Sequence, residues 1–230
     1  MVAEWSRIVG ALREACAGVG LDIVHPFAVG TYNRALPAEL ELEDFGRETT
    51  LGVLFANTRA LWTPFLEALK SDVALADDAH PLERYLETRL VPLLPRPHRL
   101  YWAQELEPRP LPIQRLAELV GLAPLSPSHL SIHPEHGPWF ALRAVAVFDE
   151  EGPGAPVPLL DSPCSRCSRP CLPALETALA QTGNTPDAGA IARQADAWIA
   201  VRDACPVGKA ARYGEHQLRY HYTKDRKFLR

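Results

Sequence analysis

Apolar positions recur at helical spacing from the start of the chain. Trp5, Ile8, Val9, Leu12 and Cys16 share one face, and Gly18 and Gly20 end the run. This predicts an amphipathic first helix with Cys16 on its buried stripe, a thiol acting as a small hydrophobe. Residues 25–37, HPFAVGTYNRALP, break that period and mix aromatics with the polar pair Tyr32 and Asn33. Residues 50–55, TLGVLF, are short, apolar and partly β-branched, which predicts a buried strand. Asn57 and Thr58 follow as caps for a helix beginning near Arg59 and carrying Leu61, Trp62, Phe65, Leu66 and Leu69. A second helix fits residues 81–94, with Pro81 near its start and Pro95 after its end. Residues 98–104 read as a strand, and 112–122 as a helix closed by Gly121. Residues 131–133 and 139–148 read as two strands of a hairpin joined by PEHGP, the second nearly continuous in apolar residues and so central in a sheet. A Gly/Pro-rich loop over 149–163 precedes helices expected at 172–180, 187–205 and 213–222. Strands alternating with helices, some joined by a hairpin, predict an α+β sandwich with a mixed sheet. Residues 1–150 are expected to form its core, and 151–230 a Cys-containing loop and C-terminal helices completing the same domain.

Composition narrows the function classes. The chain has 230 residues, enough to bury a sizeable core without disulfides, and a net charge of −4. A mildly acidic chain argues against gripping phosphate backbones, so no nucleic-acid partner is expected. No run of 18 apolar residues occurs, so no membrane partner is expected. The first twenty residues lack the build of a signal peptide, which points to the cytoplasm and to reduced or metal-bound cysteines. The 22 prolines point to short elements joined by stiff loops.

Three constellations carry chemistry. The first is HPEHGPWFALR, from His133 to Arg143. A turn glycine lets a ligand approach the backbone closely, and a Trp–Phe pair beside a polar loop suits a large flat ligand. The rival reading is a structural hairpin. The second is DSPCSRCSRPC, placing Cys164, Cys167 and Cys171 within eight residues, with Cys205 before Pro206. Four thiolates can close a tetrahedral zinc site or hold an iron–sulfur cluster. Alternatively, Arg166 and Arg169 would lower thiol pKa values and make a reactive thiol group. The third is the basic, aromatic stretch 201–230, whose charges read as a solvated helix face.

Taken together, the segments HPFAVGTYNRALP, TLGVLFANTRALWTPFLEAL, IHPEHGPWFALR and RYGEHQLRYHY resemble the CblC family of cobalamin-processing proteins, the methylmalonic aciduria and homocystinuria type C proteins. The resemblance runs almost end to end. It implies a flavin-nitroreductase-like α+β sandwich with a mixed, mostly antiparallel sheet and a helical C-terminal part. It implies base-off cobalamin in a cavity lined or shaped by Tyr32, Asn33, His133, Pro134, Gly137, Trp139, Phe140 and Arg143. On this reading, Trp139→Ala weakens ligand binding more than it unfolds the protein. The activity implied is removal of the upper axial ligand, of the cyanocobalamin reductase (cyanide-eliminating) type. Cyanide leaves reductively, with a flavin (FMN) or another electron donor, and alkyl groups leave by thiol attack from glutathione. No side chain is needed as a nucleophile, so no catalytic residue is assigned. Arg166 and Arg169 are candidates to hold the glutathione carboxylates by bidentate contacts. Reduced cobalamin would pass to downstream cobalamin-dependent enzymes, from a monomer or a homodimer. A non-catalytic cobalamin carrier is the rival. Residues 121–142 followed by the C-x2-C segment are also similar to epoxyqueuosine reductase, which adds a single-cluster iron–sulfur/cobalamin reductase as a further alternative. One departure from the CblC pattern is Gly137-Pro138, where the family has Gly-Gly before the Trp–Phe pair.

Overall fold

The most apolar strand organises the sheet. A computed structural model describes residues 3–105, 107, 109–154 and 161–229, and in it Thr50–Asn57 forms β2 with all eight residues buried. A strand covered on both faces sits centrally, and β2 has antiparallel neighbours on both edges: Ile23–Ala28 (β1) on one side and Ala141–Glu151 (β4) on the other. His98–Trp102 (β3) pairs with the far edge of β4, giving the order β1-β2-β4-β3. The α+β class expected from the sequence holds. Among the described residues all three strand pairings are antiparallel, in line with the mostly antiparallel sheet expected.

No strand was assigned over residues 23–28 from the sequence, and Pro26 is unusual within one. It is tolerated because β1 is an edge strand that pairs with β2 alone. On β2, Gly52 lies under the Phe27 ring, where a Cβ would come within 2.3 Å of it. The glycine is therefore what lets Phe27, fully buried, lie flat on the neighbouring strand.

The chain folds as two compact units: Met1–Leu122 with Ala141–Leu159, and Ala123–Phe140 with Leu160–Arg230. The middle of the expected Gly/Pro-rich loop, residues 155–160, lies outside the described residues. In the first unit, Glu4–Ala17 (α1) lays Val9, Leu12 and Cys16 against β1 and β4. Burial pushes the Cys16 thiol up to about 11, which fits its reading as an inert hydrophobe. Trp62–Ser71 (α3), Val73–Asp77 (α4) and Pro81–Leu90 (α5) pack on one another, and Phe65 meets Tyr85 edge-on at 5.5 Å. Thr58 supplies the expected cap, accepting from the Ala60 N–H, and is itself held by Asp22. Val29–Asn33 (α2) and Ile113–Leu119 (α6) contact each other, and α6 also contacts β4.

The predicted hairpin is corrected. β4 starts at Ala141 and pairs with β2 and β3, not with 131–133. His133 instead bridges to Gly137 within its own turn, and Ser131 bridges to Leu125. The backbone just before β4 is engaged elsewhere, since the Arg202 guanidinium donates to the Pro138 and Phe140 carbonyls. In the second unit, Cys171–Thr182 (α7) packs on Ala195–Asp203 (α9) through Cys171, Ala178 and Val201. The helix expected over 187–205 breaks at Gln194 into Ala188–Arg193 (α8) and α9. Glu215–Thr223 (α10) adds Leu218 to a second cluster with Trp139, Ile199 and Tyr213. Among the described residues no helix is long and apolar enough to cross a membrane.

His25 on β1 places Nε2 2.8 Å from the Val120 carbonyl oxygen, tying the strand to the end of α6. Burial holds its pKa below the ordinary 6.5; the Val120 bond opposes this and Arg13 adds to it. The folded state thus keeps His25 neutral where the unfolded chain takes a proton. Its contribution is complete above about pH 6.5 and is lost as the pH falls through the lower folded value. Thermal melts from pH 7.5 to 5 should show a falling midpoint, and His25→Gln should be less stable at pH 7.5 yet show a shallower fall.

Candidate functional site

The residues implicated by the sequence fall in both units, and each unit arranges its own share. In the first unit, Tyr32 on α2 is completely buried. Its hydroxyl has no hydrogen-bond partner among the described residues. Burial pushes this phenol up to about 12, against a smaller opposing effect from Arg109, so it is a donor at neutral pH. Asn33, at the end of α2, is committed to the fold. Its Nδ2 donates to the Leu42 carbonyl and its Oδ1 accepts from the Leu42 N–H, each at 2.9 Å, closing the loop between them. Arg143 on β4 donates from Nε to Asn57 Oδ1 at 2.6 Å. Asn57 is fully buried at the end of β2, and its Nδ2 donates to the Thr58 carbonyl. The sequence reading took Asn57 for a helix cap. Only the pairing of β2 with β4, Asn57 against Ala141, brings it to Arg143.

In the second unit, residues 133–137 make a closed turn, with reciprocal backbone bonds between His133 and Gly137 at 2.9 and 2.8 Å. His133 Nδ1 accepts from the Glu135 and His136 N–H groups, which leaves the ring proton on Nε2. The ring stacks on His136 at 4.5 Å and meets Phe140 edge-on at 5.7 Å. Pro134 is exposed at the tip. Gly137 is left-handed, with φ 57°. A Cβ there would lie 2.0 Å from the Val207 carbonyl oxygen, and one on Gly208 would lie 2.1 Å from the His136 carbonyl carbon. Two glycines therefore bring this turn against residues 207–208, backbone to backbone. The close approach expected for a ligand at Gly137 is made by the chain itself.

Trp139 is 1% exposed and packs among Ile199, Tyr213 and Leu218. The Arg202 and Arg212 guanidinium carbons lie 5.2 and 5.6 Å from its ring centroid, within cation–π range. Arg212 is itself held by Asp203 through Nε at 2.6 Å and a second nitrogen at 3.0 Å. These two arginines were read as part of a solvated basic face. Their spacing in sequence gives no sign of Trp139; the folding of α9 and the 209–213 segment beside the turn supplies it. Other charges of that stretch do form surface ion pairs, as Arg219 does with Glu215 and Asp196.

The four cysteines expected to act together, Cys164, Cys167, Cys171 and Cys205, all line one cavity of about 20 Å³ within the second unit. All are free thiols. Burial raises Cys164 above the ordinary thiol value, opposed by the Ser162 hydroxyl. Burial likewise raises Cys205, opposed by the Val207 N–H, with the other three sulfurs adding to the rise. The activating effect expected from the arginines is the smallest influence on Cys164 and comes from Arg169 alone. Arg169 lines the cavity and Arg166 does not. The cavity has room for about one water-sized occupant, not for a tripeptide. A second, more polar cavity of about 170 Å³ lies in the first unit beside Thr31, Arg34, Glu48 and Thr49.

No protein-family model and no curated protein sequence matches the chain. Solved structures do. The chain is similar to the C. elegans B12-trafficking protein CblC, a human MMACHC homologue, with a TM-score of 0.67 at 20% identity, covering 98% of this chain and 95% of that one. That likeness supports the fold expected from the family resemblance. Weaker likenesses are to epoxyqueuosine reductase from Bacillus subtilis (TM-score 0.49, 15% identity, 91% and 68% of the two chains) and to epoxyqueuosine reductase with an epoxyqueuosine-modified tRNA stem loop (TM-score 0.47, 14% identity, 94% and 69%).

The burial of Trp139 gives its substitution a stability cost as well. Trp139→Ala should cost about 3–5 kcal/mol of stability, the range for emptying a large aromatic site in a core. Denaturant unfolding monitored by circular dichroism should show this loss, whereas His133→Ala should leave the midpoint within about 1 kcal/mol of the parent.

Proposed function

We propose that the chain binds cobalamin as a substrate, in the base-off form, and removes its upper axial ligand before passing reduced cobalamin on. The observation that carries this reading is the end-to-end fold likeness to a protein described as B12-trafficking, at a TM-score of 0.67. It agrees with the family resemblance of residues 25–37 and 132–143.

The chain's own part is to bind and orient. Each unit has groups suited to contact a macrocycle with amide side chains. Tyr32 offers a buried hydroxyl kept protonated by burial. Arg143 offers a guanidinium whose direction is set by Asn57. The stacked His133–His136 pair offers flat imidazole edges. Because His133 Nδ1 already accepts two backbone N–H groups, Nε2 carries the proton and has no lone pair for cobalt. That tautomer suits a site that leaves cobalt without a protein ligand. A lower coordination number makes cobalt easier to reduce, so the hard chemistry stays with the corrinoid and the protein supplies the environment. Reductive decyanation adds an electron to cobalt, and cyanide departs with its electron pair. Dealkylation by glutathione moves the alkyl carbon to sulfur as a thioether, and the Co–C pair stays on cobalt. A flavin is an alternative electron donor for the first reaction.

The test is a titration with cyanocobalamin followed by ultraviolet–visible spectroscopy. Saturable conversion from the base-on to the base-off spectrum at about one equivalent is expected, and its absence overturns the reading. Arg143→Ala should weaken this binding at least tenfold in Kd, beyond the stability loss of about 1–3 kcal/mol expected from taking this donor away from buried Asn57. Addition of a reductant or glutathione then separates an enzyme, which releases the upper ligand in many turnovers, from a carrier, which does not.

A further inference from the structure

The cysteine cavity has chemistry that the cobalamin reading does not use. Its four sulfurs come from three places: Cys164 and Cys167 from a polar loop, Cys171 from the first position of α7, and Cys205 from just beyond the end of α9. Among the described residues no carboxylate or imidazole lines the cavity; the remaining lining includes Ser126, Ser128, Leu130, Ile132 and Arg169. Sulfur is therefore the predominant donor, and the volume of about 20 Å³ leaves room for about one ion- or water-sized occupant.

Four neutral thiols could pack as small hydrophobes, and Cys171 does sit in a core cluster. Two observations argue for more. First, the sulfur of Cys167 is held by the backbone of its own loop: the Arg169 N–H donates to Cys167 Sγ at 3.3 Å. Cys171 opens the twelve-residue helix α7, so its backbone is fixed by the helix. Second, the loop carrying Cys164 and Cys167 has little apolar content, yet it takes a definite shape. Turn bonds join Ser165 to Ser162 and Cys167 to Cys164, and Arg169 is left-handed at φ 59°. Four thiolates around one apolar cavity repel one another, and a divalent cation at the centre removes that repulsion.

We propose that Cys164, Cys167, Cys171 and Cys205 bind one zinc ion as a four-thiolate centre, which ties the 162–170 loop to the start of α7 and the end of α9. Among the described residues no three His, Cys, Asp or Glu side chains already form a closed metal-holding group, so the sulfurs rim the cavity and close on the ion as it binds. The helix-end pair, Cys171 and Cys205, both 8% exposed, forms the fixed half of the centre. The half-exposed loop pair closes over it.

The experiment uses the full chain, reduced and stripped of metal, titrated with Zn²⁺ against a chelating dye. Uptake of one equivalent is expected, with a rise in melting temperature. Co²⁺ in its place should give the intense thiolate-to-cobalt absorption of a tetrahedral sulfur site. Cys205→Ser should weaken zinc by more than the roughly 10–100-fold that loss of an outer-shell partner alone costs. Cys164→Ser, on the loop, should do the same without touching a helix, and Cys16→Ser should leave zinc uptake unchanged. Failure to take up zinc saturably overturns the proposal, as does uptake indifferent to both ligand substitutions, or purification with iron and acid-labile sulfide at this site. Cobalamin titration of the metal-stripped protein is read separately, so the two proposals can fail independently.

Discussion

A strand with no exposed residue dictates much of what surrounds it. β2 carries eight consecutive buried positions, so every backbone N–H and C=O along it needs a partner inside the sheet. That demand is met by β1 and β4 on its two edges. Its faces need cover as well, and Gly52 lets the Phe27 ring take the place of a side chain. The same pairing explains a polar detail. Asn57, at the end of β2, is completely buried, and its amide is satisfied by Arg143 on the neighbouring strand and by the Thr58 carbonyl.

The second unit is organised differently, around guanidinium groups and close backbone approach. Arg202 holds the carbonyls on either side of Trp139 while its charge lies over the indole ring, and Arg212 lies within reach of the same ring. A positive charge near a buried aromatic is tolerable because the ring faces are negative and each guanidinium keeps at least one hydrogen-bonded nitrogen. Gly137 and Gly208 admit no side chain because each faces the other segment's backbone. The turn at 133–137 is thus fixed from both sides, which pre-orients His133 and His136 at its surface. Rigid support of this kind makes a binding loop precise without giving it any chemistry of its own.

Both proposals place little reactive chemistry on protein side chains. The first assigns the bond changes to a corrinoid and an external donor, and the second assigns the cysteines to holding a metal. Burial raises the Cys164 and Cys205 thiols. A thiol so placed is a poor nucleophile when free and a good ligand when a cation compensates its charge.

Strong periodicity was legible in the sequence. Helix α1, helices α3 and α5, strand β2 and the α+β class could all be read from apolar spacing and caps, because each is decided by residues within a few turns of one another. So was the grouping of the four cysteines, since three lie within eight residues. What tertiary structure alone decided depends on neighbours distant in sequence. Pro26 lies in a strand only because that strand is at an edge. Residues 141–151 pair with β2 and β3 rather than with the adjacent 131–133, because Arg202 and the His133–Gly137 turn occupy the backbone between them. Trp139 and Gly137 were expected to line or shape a ligand cavity; the fold packs Trp139 in a core cluster and brings Gly137 against the Val207 backbone, which residue type and spacing could not show. Residue types and spacing determined which chemistries this chain can support; the packing of distant segments decided which of those residues are left available for them.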